Sequence, residues 1–180
     1  AAVSQETGEF IWSTQIGYNP PKKGQAVSGA PIYVDDVVYV GLANGDWAFR
    51  GKIVALDANG GELLWEFYTI PGPGEPGHDT WPQDSEWGHV WEQGGAGVWH
   101  IGNADPNLGL VYFVTGNAVP MFGGEARKGD NLFTASVLAL DMKSGELRWH
   151  YQVVHHDLWD ADIAIAPLLY DANVDGQTRP

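Results

Sequence analysis

The sequence predicts an all-β fold made of β-propeller blades. Three observations carry this: a gapless repeat of Ala, Gly and Trp, short apolar strand patterns between its copies, and plentiful turn residues. The repeat runs from Ala2 to Trp12, from Ala55 to Trp65 and from Ala139 to Trp149. Each copy has Gly six residues after the Ala (Gly8, Gly61, Gly145), then Glu (Glu9, Glu62, Glu146), and Trp four residues after the Gly.

Each copy reads as a hairpin. A strand ends at Ser4, Asp57 or Asp141, polar residues and the Gly form the turn, and the next strand carries the Trp. Glycine is suited to the turn because it adopts positive φ without a Cβ clash. Upstream, Pro31 to Val34, Val37 to Val40 and Gly109 to Thr115 read as strands, with turns at Asp35-Asp36 and Asp105-Pro106-Asn107. The Trp spacing is 53 and then 84 residues, and the extra length lies between Pro71 and Gly95. Residues 71–95 are therefore expected to be a functional loop inserted on a standard blade. Residues 1–180 are expected to form one partial propeller, with blade remnants ending near Trp12, Trp65 and Trp149. About three blades cannot close a ring, so further blades or self-association are expected to complete it. An open β-solenoid or a sandwich is the alternative architecture.

Composition narrows the function. The formal net charge of −14 argues against nucleic acid and anionic membranes, both of which attract Lys and Arg. It suits a hard cation. With no Cys, neither a disulfide framework nor a thiolate metal site can form within the chain. No apolar run approaches 18 residues. Nine Trp in 180 residues implies a recurring structural job for that side chain. The first residues read like the middle of a folded unit, so the chain is expected to be an internal fragment.

The Ala-Gly-Trp repeat resembles the tryptophan-docking motif of the pyrroloquinoline quinone (PQQ) dehydrogenases, though non-catalytic propeller scaffolds use a similar repeat. The residues between the repeats extend the likeness. Gly94-Gly-Ala-Gly-Val-Trp99 looks like the family's Gly-rich segment ending in the Trp that floors the cofactor; indole offers a flat apolar surface for a planar quinone. Asn117, 18 residues further on, resembles the family's metal-ligating Asn, although Gly116-Asn117 alone reads as a turn. His155-His-Asp-Leu-Trp-Asp160 resembles the stretch whose final Asp is the family's catalytic base and a neighbour of the metal. Asp162 falls where lanthanide-using members carry an extra Asp ligand, and glucose-dehydrogenase-like members carry the same Asp without that metal. The loop from Val40 to Gly51 resembles the family's Gly-rich loop. It supplies Asn44, Gly45 and Arg50 as cofactor contacts and places Asp46 where a ligating Glu is usual. Ser28 falls where a hydroxyl binds a cofactor carboxylate, whereas Ala43 replaces a common Ser.

The resemblance implies part of an eight-bladed ring that oxidises an alcohol or sugar. PQQ and Ca²⁺, or alternatively a lanthanide ion, would be the cofactors, and Asp160 the base. It also implies a cytochrome or quinone as electron acceptor and a periplasmic or other extracytoplasmic location. Two other classes compete: a non-catalytic binding scaffold, and a metal-dependent hydrolase suggested by His155-His156-Asp157. The aromatics of the insertion (His78, Trp81, Trp87) would either stack on substrate or pin the loop.

Overall fold

In the computed structural model, which describes residues 1–180, each repeat folds as the expected hairpin. The strands are β1 (Ala2–Val3), β2 (Phe10–Trp12), β3 (Ile32–Val34), β4 (Val37–Leu42), β5 (Lys52–Asp57), β6 (Leu63–Tyr68), β7 (Asn103–Asp105), β8 (Leu110–Val114), β9 (Ser136–Asp141), β10 (Leu147–Gln152), β11 (Ala172–Val174) and β12 (Gln177–Arg179). Two antiparallel four-stranded sheets form, ordered β3-β4-β5-β6 and β7-β8-β9-β10. The hairpins β1-β2 and β11-β12 stand apart from them. The chain thus holds two four-stranded sheets and two two-stranded ones. No helix is long and apolar enough to cross a membrane.

The ten-residue spacing from Ala to Trp is a cross-strand pair in every copy: Ala2 faces Trp12, Ala55 faces Trp65 and Ala139 faces Trp149. A methyl beside an indole leaves the ring room to lie over its strand. The turns are built alike. Asp57 Oδ1 accepts the N–H groups of Asn59 and Gly60, and Asp141 Oδ1 those of Lys143 and Ser144. Gly61 and Gly145 close these turns at φ +77° and +74°.

The same turns receive the Trp of the preceding unit. Trp12 Nε1 donates to Ala58 O at 2.9 Å, and Trp65 Nε1 donates to Met142 O at 3.0 Å. A Cβ on Gly61 would stand 2.5 Å from the Trp12 ring, and one on Gly145 2.6 Å from the Trp65 ring. Here glycine is needed for contact as well as for φ. Tyr39, pushed up to about 12 by burial and so a neutral donor, shares the Met142 carbonyl. The interlock is open at both ends: a Cβ at Gly8 would meet nothing, and Trp149 is 46% exposed.

The main core lies between the two sheets. Tyr39, Ile53, Ala55 and Trp65 pack there against Val111, Phe113, Leu138 and Leu140. The other face of β4 and β5, with Val40, Val54 and Leu56, packs on Trp12 and Ile16. The inner strands are therefore covered on both faces, which accounts for their unbroken apolar runs.

Candidate functional site

The Gly-rich run gathers the candidate residues. It threads between the loop after β4 and the loop after β8, bonding to both. On one edge Gly51 N–H donates to Gly95 O (2.8 Å), Gly95 N–H to Phe49 O (3.1 Å) and Val98 N–H to Leu42 O (2.9 Å). On the other, Ala96 N–H donates to Asn117 O (2.8 Å), Gly116 N–H to Gly97 O (2.9 Å) and Val119 N–H to Gly94 O (3.0 Å). Side chains would prevent this approach, since a Cβ on Gly45 would lie 2.7 Å from Gly97 N.

The result is an open cleft of about 270 Å³. Ser28, Asn44, Gly45, Asp46, Gly97, Trp99, Asn117 and Asp162 line it. Seven of the nine residues singled out from sequence thus share one cleft, although they come from five separate stretches of chain. Gly97 was not singled out individually.

Ser28 Oγ donates to Trp99 O at 3.0 Å, and Asn44, at φ +63°, donates from Nδ2 to Gly24 O at 2.9 Å. Asn117 is buried; its Nδ2 donates to Ala118 O at 3.2 Å, while its Oδ1 has no hydrogen-bond donor. Asp162 Oδ1 accepts the Asn117 N–H at 2.8 Å. The Asp162 carboxyl is held above its ordinary pKa, first by partial desolvation and then by the charges of Asp160 and Asp46. The Asn117 N–H and the Trp99 indole act against that shift. A Cβ on Gly116 would meet Asp162 Oδ1 at 2.5 Å, so glycine there lets the carboxylate reach its donor.

Two candidates lie outside the cleft lining. Asp160 sits in an exposed turn at φ +63°, near enough for its charge to act on Asp162. Arg50, expected from the loop's resemblance to touch the cofactor, faces the insertion instead. Its Nε donates to Ile70 O at 2.6 Å, its Nη2 pairs with Glu75 at 2.6 Å, and its guanidinium stacks 4.0 Å from the Tyr68 ring centre. Carbonyl, carboxylate and aromatic face are all supplied by the blade edge and insertion.

The insertion buttresses the cleft from behind. Trp81 is buried, donates from Nε1 to Leu132 O at 2.5 Å, and packs with Ile70, Val90, Ala96 and Ala118. That makes Trp81 a loop anchor, while Trp87 is exposed.

The His155-His156-Asp157 cluster does not converge. His155 faces Asp130 at 3.7 Å, and His156 Nδ1 lies 2.8 Å from Gly129 O. The buried Asp157 uses both oxygens on loop N–H groups, of Trp159 (2.9 Å) and Ala161 (2.8 Å). Sequence reading treated Asp157 only as a hydrolase hint and passed over Arg127, which is wholly buried beside it. The available signal was Arg127-Lys128 before Gly129-Asp130-Asn131, and burial cannot be read from that.

The donor chemistry of the cleft fits a hard cation, since carboxylates and an amide oxygen converge and an ion would relieve the repulsion felt by Asp162. No three His, Cys, Asp or Glu side chains stand close enough together to hold an ion by themselves. Three larger clefts, of about 420, 430 and 620 Å³, contain none of the candidates.

Residues 6–180 match the family model described as PQQ glucose/ethanol/alcohol dehydrogenase, beta-propeller domain. The chain is 38% identical to the quinohemoprotein alcohol dehydrogenase ADH IIB of Pseudomonas putida, over 99% of this chain and 27% of that protein. It is 31% identical to the lanthanide-dependent methanol dehydrogenase of Methylacidiphilum fumariolicum, over 99% of this chain and 31% of that protein. A europium-containing methanol dehydrogenase structure superposes with a TM-score of 0.86 at 31% identity, covering 99% of this chain and 33% of that one. The chain therefore spans about a third or less of the length of these relatives.

Proposed function

Because the chain belongs to the PQQ-dependent glucose/ethanol/alcohol dehydrogenase β-propeller family, we propose that its cleft is the quinone and metal face of an enzyme oxidising an alcohol. A sugar is the second substrate class the family description admits. The observation that carries this reading is the convergence of Ser28, Asn44, Gly45, Asp46, Trp99, Asn117 and Asp162 on one cleft. A binding scaffold needs the interlocked repeats but has no use for that convergence.

When bound, PQQ supplies a two-electron acceptor and Ca²⁺ or a lanthanide supplies Lewis acidity. The chain's own residues do the rest. Trp99 presents a flat apolar wall, and Ser28, Asn44 and Gly45 line the same cleft. Asp46, Asn117 Oδ1 and Asp162 are the oxygens offered to the ion, with Asp160 beside them. An additional carboxylate at Asp162 favours a more highly charged ion, in keeping with the lanthanide named for one relative. Asp160, exposed at the rim, accepts the substrate hydroxyl proton. Electrons then leave to a cytochrome or quinone acceptor, with the whole enzyme in the periplasm or another extracytoplasmic space.

Trp99→Ala in the full-length protein tests the assignment. Loss of one aromatic stacking face costs about 1–3 kcal/mol, so the PQQ dissociation constant is expected to rise by roughly 5- to 150-fold. Equilibrium titration of quinone absorbance reads this directly, and an unchanged constant removes Trp99 from the quinone site.

A further inference from the structure

Arg127 lies outside the cleft, yet its guanidinium reaches both segments that frame it. The side chain is 0% exposed. Nε donates to Pro120 O at 2.9 Å and Nη2 to Met121 O at 2.8 Å, which holds the loop leading away from Asn117. Nη2 also donates to Asp157 O, which holds the loop leading into Asp160 and Asp162. Nη1 donates to Asn131 Oδ1 at 2.8 Å. Asn131 in turn donates to Arg127 O at 2.7 Å and to Thr80 O of the insertion at 3.4 Å.

Asp157 continues the fastening. It is 1% exposed, and its two oxygens accept the N–H groups that flank Asp160, those of Trp159 and Ala161. Asp160 is thereby held at positive φ, and the chain is delivered so that Asp162 meets the Asn117 N–H. No single strand or turn links residue 117 to residue 162. Their relative placement is set by Arg127, Asp157, that bond and the bond that Ile163 N–H donates to Thr115 O at 3.4 Å.

We propose that Arg127, acting through Asp157, is the positioning residue that fixes the separation of Asn117 from the Asp160–Asp162 turn, and so tunes the cleft for its cation. This rests on the cation reading of the cleft given above. A planar fork with donors on three nitrogens is required, because four acceptors on three segments must be met at once. A lysine retains the charge but cannot span them. Asp157→Asn keeps the volume and surrenders one of the two N–H acceptors.

The test is equilibrium dialysis of La³⁺ against the full-length protein saturated with PQQ. Four variants are compared with the parent: Arg127→Lys, Asp157→Asn, Asp162→Asn, and Leu138→Ala as a destabilised control in the sheet core. Outer-shell changes of this kind weaken metal binding by about 10–100-fold. Arg127→Lys and Asp157→Asn are each expected to raise the La³⁺ dissociation constant at least about tenfold, with Leu138→Ala unchanged. If Arg127→Lys accumulates poorly, Asp157→Asn decides. Parent-like affinity in these two variants, with weakened binding in Asp162→Asn, overturns the positioning role and leaves the cation reading standing. Parent-like affinity in Asp162→Asn as well overturns the cation reading itself.

Discussion

Asp160→Asn in the full-length protein is expected to lower kcat for dye-linked alcohol oxidation by about 10²–10⁴-fold while quinone remains bound. The magnitude is that of losing a general base, since an amide cannot take the hydroxyl proton. Asparagine is the informative replacement. Asp160 stands at φ +63°, a conformation Asn tolerates better than most residues, and its turn is held by Asp157 through the flanking N–H groups. The loop should therefore keep its shape, and the loss should reflect chemistry. Steady-state turnover together with quinone absorbance checks both halves, and near-normal turnover removes Asp160 from the proton transfer.

Trp65→Ala is expected to destabilise the fold by about 3–5 kcal/mol, the usual cost of truncating a buried large aromatic. Three interactions disappear together: the indole bond to Met142 O, the contact with Gly145, and packing in the core between the sheets. Trp149→Ala in the same chain is expected to cost far less, because Trp149 is 46% exposed whereas Trp65 is 8% exposed. Urea denaturation of the two variants separates them. Equal losses would mean that the repeated Trp stabilises only its own hairpin, and the interlock would lose its main support.

The fold was legible where a residue's role is local and periodic. The Ala-to-Trp spacing encodes a cross-strand pair, and the Gly encodes both a turn and the seat of the neighbouring indole, so three copies disclosed the blades. Counting Trp residues did not count complete sheets, because the first copy lies in a two-stranded remnant. The hairpin of β11 and β12 went unread although Asp175-Gly176, both at positive φ, is a type of hairpin turn that sequence can signal.

Residues next to a recognisable Gly or strand end line the same cleft: Asn117 after β8, Trp99 after the Gly run, and Asp46 in the loop after β4. Arg50 lies outside the cleft lining: the sequence cannot say to which side of the backbone a long side chain turns, and here Glu75 and Tyr68 hold it. Arg127 and Asp157 were out of reach for a different reason. Their partners are mostly backbone atoms, which carry no signature in the sequence.

The central claim is that the cleft formed by Trp99, Asn117, Asp46 and Asp162 takes PQQ together with a hard cation. The most direct measurement is titration of PQQ into the metal-stripped full-length protein, with Ca²⁺, with La³⁺ and with neither, followed by quinone absorbance after gel filtration. The account predicts saturable binding of one quinone per chain that depends on one of the two cations. Protein that elutes free of quinone under all three conditions would contradict it.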